Sequence, residues 1–211
     1  MREQIRELIE TTILTLSIFA VLQFSIQNYL VQGPSMVPTL NEGERLFVNK
    51  LIYKRFPSLE LSKNSPFITR SEDKYIYLFN PPKKGEIVVF KSPNITSIKI
   101  VKRAIGLPGD EISINNGTLI VNNTPIDEPY VTNLGNSNIP NFKVPPNHLF
   151  VLGDNRLQSD DSRSWGLLNS KNIIGRVFII YNLFNFIFSK RDYIHFFLDF
   201  LSFCKIFLIK N

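Results

Sequence analysis

Cysteine and histidine are scarce in this chain of 211 residues, which has one cysteine and two histidines. The single Cys204 excludes an intramolecular disulfide framework and a cysteine-rich zinc site. His148 and His195 leave little material for a histidine-based metal site or a Ser-His-Asp triad. Charged residues are also few, at 20%, whereas 44% of the residues are hydrophobic. This composition excludes a disordered chain and predicts a sizeable core.

The formal net charge of +6 is compatible with binding either to nucleic acid or to an anionic membrane surface. No basic patch interleaved with aromatic residues is present, so the sequence does not favour a nucleic-acid partner. Both ends of the chain are instead apolar, and this favours the membrane as the partner.

Near the N-terminus, Leu8 to Val31 forms an apolar run with one charge, and about 20 such residues cross a bilayer core. A cleaved signal peptide is the alternative. No small-x-small cleavage site follows the run, in which Ala20 stands alone, so we expect residues 1–31 to hold an uncleaved single-pass anchor. Arg2 and Arg6 precede it and place the N-terminus in the cytosol by the positive-inside rule.

Basic residues also follow the anchor, at Lys50, Lys54 and Arg55, and these argue for the opposite orientation. Long translocated domains largely escape the charge rule, however. We therefore expect the rest of the chain to lie on the extracytoplasmic side.

The tail, residues 184–211, is rich in Phe, Leu and Ile. Its polar residues follow a helical spacing and form one narrow stripe. They are Asp192, His195, Asp199, Ser202 and Lys205. Three interpretations stay open: a helix in the membrane interface, a second crossing, or a helix that caps the soluble core.

The middle of the chain, residues 32–183, is predicted to be a mostly β domain with a twisted antiparallel sheet. Runs rich in β-branched and aromatic residues occur at 85–90, 97–106 and 176–184. Within 112–121, alternating residues flank Asn116-Gly117, a strong hairpin signal. We expect a small hairpin elaboration at about 111–148, with loops or variable elaborations at 56–73 and 128–146.

Ser35 lies in the segment Gly33-Pro34-Ser35-Met36-Val37-Pro38. Glycine and proline on its two sides make the backbone turned and stiff, which would hold the hydroxyl in one place. Taken alone, the segment fits a surface serine in a turn at least as well.

Lys102 lies in a predicted strand, Lys99 to Gly106, which runs into Pro108-Gly109-Asp110. A lysine on the apolar face of a sheet is costly unless it is neutral or paired, and burial lowers its pKa. A neutral amine near pH 7 can act as a general base. The alternative is that Lys102 and Arg103 lie on a solvated edge strand.

A third segment, Gly153-Asp154-Asn155 through Ser159 to Arg163, has the short polar side chains of a loop that folds on its own hydrogen bonds. Asp161 is placed to pair with either Arg163 or Arg103. A calcium-binding loop is the alternative, and the basic residues and few carboxylates count against it.

Together these segments resemble the type I signal peptidase family. The motifs are Ser-Met-x-Pro-Thr from Ser35, Lys-Arg-x-x-Gly-x-Pro-Gly-Asp from Lys102 and Gly-Asp-Asn-x-x-x-Ser-x-Asp-Ser-Arg from Gly153. Stretches at 43–50 and ending at Phe90 also match. Each motif alone is weak, but the order of all three after an apolar segment is highly specific.

The resemblance implies a Ser/Lys dyad in which Ser35 is the nucleophile and Lys102 the general base. Ser159 resembles the residue that orients the lysine, while Asp161, Arg163 and Arg103 support the site. The Ser35 backbone N–H and a donor at Gly33 would hold the oxyanion. Some members of the family have a serine there, whose hydroxyl helps, so the glycine leaves the second donor to the backbone.

The substrate implied by the resemblance is an exported preprotein, cut after a small-x-small sequence in its signal peptide. The expected walls of the substrate pockets are Met36, Val101, Tyr29 and Val31. No metal or cofactor is implied, and the protein is expected to be a monomer in contact with membrane lipid. A bacterial plasma membrane is the default location, and a plastid thylakoid membrane stays open.

Two other functions remain as alternatives. A self-cleaving protease of the repressor type also uses a Ser/Lys dyad, but no helix-turn-helix pattern precedes Ser35. A non-catalytic, membrane-anchored β module would have no need of Ser35 or Lys102, and both are present.

Overall fold

The computed structural model describes residues 2–57, 75–77, 79–95 and 97–181. The tail at 184–211 and most of the loop predicted at 56–73 lie outside the described residues. Helix α1, Arg2–Ser25, has 24 residues, or roughly 36 Å at 1.5 Å per residue. Glu3–Ser25 is long and apolar enough to cross a membrane, and none of its most apolar part is buried against the protein.

Hydroxyl side chains in α1 are satisfied by the helix itself. Thr11, Thr12 and Thr15 donate to the carbonyl oxygens four residues earlier at 2.8 Å, and Ser17 does so at 2.7 Å. Apolar side chains such as Leu8 are more than half exposed. The helix therefore presents an apolar surface with no unsatisfied side-chain hydroxyl at these four positions.

The predicted span of Leu8 to Val31 is too long at its far end. The helix ends at Ser25, and the next five residues form strand β1, Ile26–Leu30, which pairs with β2, Arg45–Asn49. Polar Gln27 and Asn28 interrupt the apolar run and hydrogen-bond as part of the sheet instead. The sheet domain thus begins at Ile26.

The main sheet has seven strands in the order β1-β2-β13-β5-β6-β11-β12, and every neighbouring pair is antiparallel. Its other strands are β5 Ile87–Lys91, β6 Lys99–Gly106, β11 His148–Leu152, β12 Leu168–Asn169 and β13 Ile173–Tyr181. The register shifts in three of the pairs, β13 with β2, β13 with β5 and β11 with β6. Such irregularities increase the twist between strands, so the sheet curls. The predicted twisted antiparallel sheet is therefore confirmed.

A second sheet contains four strands in the order β10-β7-β8-β9. They are β7 Glu111–Asn115, β8 Thr118–Val121, β9 Thr124–Pro125 and β10 Ile139–Lys143. The predicted hairpin is confirmed, and its turn residues Asn116 and Gly117 both have positive φ, at 46° and 82°. Of the two interpretations of 128–146, a loop or a variable elaboration, the first does not hold for residues 139–143, because β10 pairs with β7. Pro140 and the polar residues around it are not typical of a strand, so the sequence did not predict this edge strand.

Three groups of buried apolar residues form the core. One fills the second sheet around Ile112 and Phe150. Another packs around Val88 and Phe90, and the third contains Met36, Leu40 and Val48. The described chain also contains an antiparallel pair of β3, Arg55–Pro57, with β4, Tyr75–Tyr77, and the short helix α2, Ser162–Trp165.

Candidate active site

Ser35 lies in a turn that follows β1 and is fixed by the core beneath it. Gly33 has a φ of +81°, which L side chains rarely adopt, and this lets the chain turn away from the sheet. Val37 N donates to Pro34 O at 3.1 Å, and Met36 and Leu40 are only 1% and 0% exposed. The serine, which is half-buried, is thus fixed by the two core side chains that follow it.

Lys102 lies in the middle of β6 opposite Val88 of β5, and only 3% of it is exposed. Its Nζ atom is 2.6 Å from Ser35 Oγ, across 67 positions of the sequence. No carboxylate forms an ion pair with this amine among the described residues. The interpretation of Lys102 as a residue of a solvated edge strand is therefore wrong.

Burial lowers the pKa of Lys102 from 10.5 to about 8. The reason is that removing the ammonium ion from water disfavours its charged form. The negative charges of Asp161, Asp160 and Asp154 oppose this effect and keep the pKa from falling further. A substantial neutral fraction is thus available near physiological pH.

The third motif is hydrogen-bonded to the Ser35 turn. Asn155 N donates to Ser35 O at 3.1 Å, and Asn155 Nδ2 donates to Pro34 O at 3.2 Å. Gly153 comes so close that a Cβ atom there would lie 2.5 Å from Ser35 O. Motif and turn therefore form one packed unit.

Asp161 pairs with Arg163, which was one of the two predicted alternatives. The Arg163 Nε to Asp161 Oδ1 distance is 2.8 Å, and the Asp161 side chain is 0% exposed. Asp161 also accepts from the Gly153 N–H at 3.0 Å. Arg163 Nη2 donates to Arg156 O at 2.7 Å, so the pair ties both ends of the third motif together.

Arg103 pairs with Asp154 instead of Asp161. The contact is bidentate, with Nε to Oδ1 at 2.8 Å and Nη2 to Oδ2 at 2.5 Å. Thr39 Oγ1 donates to the same carboxylate at 2.5 Å. The pair thus joins the motif of Lys102, the motif of Gly153 and the end of the Ser35 turn.

Ser159 is not joined to Lys102 in the structure. Its hydroxyl oxygen is buried and makes no hydrogen bond within the described part of the chain. It faces Gly153, where a Cβ atom would lie 2.1 Å away. The orienting role expected for Ser159 stays a prediction.

A cleft of about 340 Å³ opens beside Ser35 and Lys102. Three of the four expected pocket residues line it: Tyr29, Val31 and Val101. Met36 does not, because it is buried in the core under the turn.

The residues that sequence reasoning did not single out are Thr39, Asp154 and Asp160. Thr39 and Asp154 are 115 positions apart, and no feature of either segment predicts their contact. Asp160, which is exposed, lines the cleft with Lys102. In the sequence, only the position of Asp160 next to Ser159 indicated that it could lie near the site.

Comparisons with known proteins identify the family of this chain. A family model described as "Signal peptidase, peptidase S26" matches residues 5–182. A probable signal peptidase I-1 of Synechocystis is 32% identical over 179 residues, covering 81% of this chain and 79% of that protein. Signal peptidase IB of Staphylococcus aureus is 32% identical over 194 residues, covering 83% of this chain and 88% of that protein.

A crystal structure of a signal peptidase I from Enterococcus faecalis is also similar, with 30% identity and a TM-score of 0.42. It aligns with 47% of this chain and 98% of its own. The family match extends from α1 to the end of the main sheet and so contains both Ser35 and Lys102. The chain belongs to the signal peptidase family S26, whose members are proteases of signal-peptide processing.

Proposed function

We propose that the chain is a membrane-bound serine endopeptidase that removes N-terminal signal peptides from exported preproteins with a Ser35/Lys102 dyad. The observation that carries the proposal is the 2.6 Å contact between Lys102 Nζ and Ser35 Oγ. A buried lysine with a lowered pKa next to a hydroxyl has the properties of a general base beside its nucleophile.

The neutral Lys102 amine accepts the Ser35 proton as Oγ attacks the carbonyl carbon of the scissile bond. The resulting ammonium then gives this proton to the leaving amine, and the acyl group stays on Ser35 as an ester. In the second half of the reaction, the amine removes a proton from water, which attacks the ester and releases the signal peptide. The proton is returned to Ser35 Oγ.

Backbone donors are available for the negatively charged oxygen of the intermediate. Among the described residues, neither the Ser35 N–H nor the Gly33 N–H donates to another protein group. We assign them as the two oxyanion donors. The glycine supplies no side-chain donor, so the backbone conformation around Gly33 has to aim the second N–H.

The cleft supports the choice of a small-x-small sequence. An extended peptide would lie along β6 and the end of β1, with alternate side chains directed at the walls. Tyr29, Val31 and Val101 make these walls apolar and shallow, which suits alanine and excludes bulky residues. Met36 supports the floor from below instead of contacting substrate.

Helix α1 supports a location of the cleft near a bilayer. Ser35 follows the last helical residue, Ser25, by ten positions, which span at most roughly 35 Å of extended chain. The domain would lie on the extracytoplasmic side of a bacterial plasma membrane, where signal-peptide cleavage sites emerge. This proximity makes membrane-bound preproteins the natural substrates.

The proposal is tested with the detergent-solubilised full chain and a preprotein that carries an Ala-x-Ala site. We expect one cut, after the second alanine, located by mass spectrometry of the products. Replacing that alanine with leucine should lower kcat/KM at least about 100-fold, because the pocket cannot hold the larger side chain. A leucine at the residue between the two alanines serves as the control. Self-cleavage alone, with the preprotein left intact, would favour the repressor-type alternative.

The pH dependence of cleavage should follow Lys102. Because the neutral amine is the base, kcat/KM should rise about tenfold per pH unit below pH 8 and level off above it. Asp160→Asn removes a negative charge that raises the pKa of Lys102, so the whole profile should move to lower pH. Asp127→Asn, outside the cleft, is the matched control. A profile that falls between pH 6 and 8 would contradict Lys102 as the base.

A further inference from the structure

A second cavity, of about 540 Å³, lies at the base of α1 on residues separate from those of the catalytic cleft. Four of its lining residues are cationic, and no carboxylate lines it in the described part of the chain. They are Lys50, Lys54, Arg55 and Lys171. The mechanism proposed above uses none of them.

The cavity is fixed directly to the end of the apolar helix. Phe24, in the last turn of α1, lines it and is 76% exposed. Lys50 N donates to Ser25 O at 2.8 Å, so the backbone that carries the first lysine is hydrogen-bonded to the last helical residue. With α1 across a bilayer, this cavity lies at the level of the lipid headgroups.

Three of the four cations have no acidic partner in the described part of the chain. Lys50, Lys54 and Lys171 form no ion pair with any described residue. Like charges gathered in one concave site repel each other and attract an anion. These three lysines are therefore available to bind a negatively charged group.

Apolar residues complete the wall. Leu51, Ile173 and Ile174 line the cavity beside the lysines, and the exposed Phe24 ring continues this surface towards the helix. A ligand that fits has a phosphate for the cations and an apolar part directed along α1. Free phosphate or a nucleotide would satisfy only the first of these requirements.

We propose that this cavity binds the headgroup of an anionic phospholipid and thereby orients the catalytic domain on the membrane surface. The inference rests on the membrane-bound enzyme proposed above and deepens it. Lipid binding would also explain why basic residues follow the anchor on the extracytoplasmic side, where the positive-inside rule does not predict them. There they would contact lipid phosphates, and juxtamembrane cations of this kind are attracted to an anionic membrane surface.

Titration calorimetry tests this with the full chain in uncharged detergent. Dihexanoyl phosphatidylglycerol, below its critical micelle concentration, should bind at one saturable site, and dihexanoyl phosphatidylcholine should not. Lys54→Gln/Lys171→Gln should weaken binding roughly thirtyfold, because two of the cationic contacts are lost. Lys83→Gln/Lys143→Gln changes the charge equally outside the cavity and should leave the affinity within about twofold.

Three outcomes would overturn the proposal: equal binding of phosphatidylcholine, equal binding of inorganic phosphate, or full affinity in Lys54→Gln/Lys171→Gln. Inorganic phosphate separates a general phosphate site from a lipid site. The Tm of each variant without lipid shows that it is folded. Wild-type cleavage is measured in the same samples. Cleavage without lipid binding overturns this inference alone, whereas lipid binding without cleavage overturns only the proposed function.

Discussion

Lys102→Met is expected to reduce kcat/KM for preprotein cleavage by about 10⁴-fold or more, and Ser35→Ala by a similar factor. Methionine keeps the length of the side chain and its apolar part but cannot accept the Ser35 proton. Without this transfer the hydroxyl is a weak nucleophile, so either change removes the same step. The two reductions in kcat/KM should therefore not add. The kcat/KM of the double variant should equal that of the less active single variant.

Lys102→Met should also make the protein more stable. The pKa of Lys102 falls from 10.5 to about 8 on folding, so the folded state disfavours the charged amine. At pH 7, below both pKa values, this costs about 3 kcal/mol of folding free energy, since each pKa unit is worth about 1.4 kcal/mol. Methionine has no charge to bury, and we expect the free energy of unfolding of the variant at pH 7 to be higher by about 3 kcal/mol.

The sign of the pH effect gives a further check on Lys102. Between about pH 8 and 10.5 the unfolded chain still holds the proton that the folded chain has released, so wild-type stability rises with pH in this window. Lys102→Met should lack the rise. Denaturant unfolding at pH 7 and pH 10 measures both effects, with the exposed Lys143→Met as the control. Cleavage by folded Lys102→Met above a hundredth of the wild-type rate would exclude Lys102 as the base.

Local patterns predicted much of the domain. The Asn116-Gly117 turn and the alternating residues around it contain all that the hairpin of β7 and β8 requires, because both strands lie within eleven residues, 111–121. The β-branched run around Lys102 likewise predicts a strand, but it left open whether the lysine is buried or solvated. The Ser35–Lys102 contact itself came from the family resemblance and not from either segment.

Contacts between distant segments could not be predicted in this way. Arg103 has two acidic residues of the third motif within reach, and the sequence does not say which one it pairs with. The structure selects Asp154, because Asp161 is already occupied by Arg163 and the Gly153 N–H. Met36 was expected in a pocket wall because it is apolar and adjacent to Ser35, yet the turn directs it into the core.

Edge strands were also difficult to predict from the sequence. Strand β1 follows directly from α1 and contains Gln27 and Asn28, which are exposed. Strand β10 contains a proline and a register shift. Edge strands need only one partner and tolerate proline and polar residues, so they lack the alternating signal of central strands.

Gly153→Ala is expected to lower kcat by about 10²- to 10³-fold with a smaller change in KM. The new Cβ would lie 2.1 Å from Ser159 Oγ and 2.5 Å from Ser35 O, so the Ser35 turn has to move. That turn also accepts the Asn155 N–H at Ser35 O, and it carries the nucleophile. Displacing a reacting atom by about 1 Å costs on the order of 100-fold in rate. Steady-state kinetics at a temperature well below the Tm of the variant measures the loss.

Gly175→Ala separates this effect from a general loss of packing. Gly175 is also buried in the main sheet, and a Cβ there would lie 2.2 Å from Asn49 O, far along the chain from Ser35. Both substitutions force backbone apart and should lower the Tm, but only Gly153→Ala moves the nucleophile. We therefore expect kcat of folded Gly175→Ala to stay within about threefold of wild type. Equal losses of kcat in the two variants would mean that Gly153 serves the stability of the sheet and not the position of Ser35.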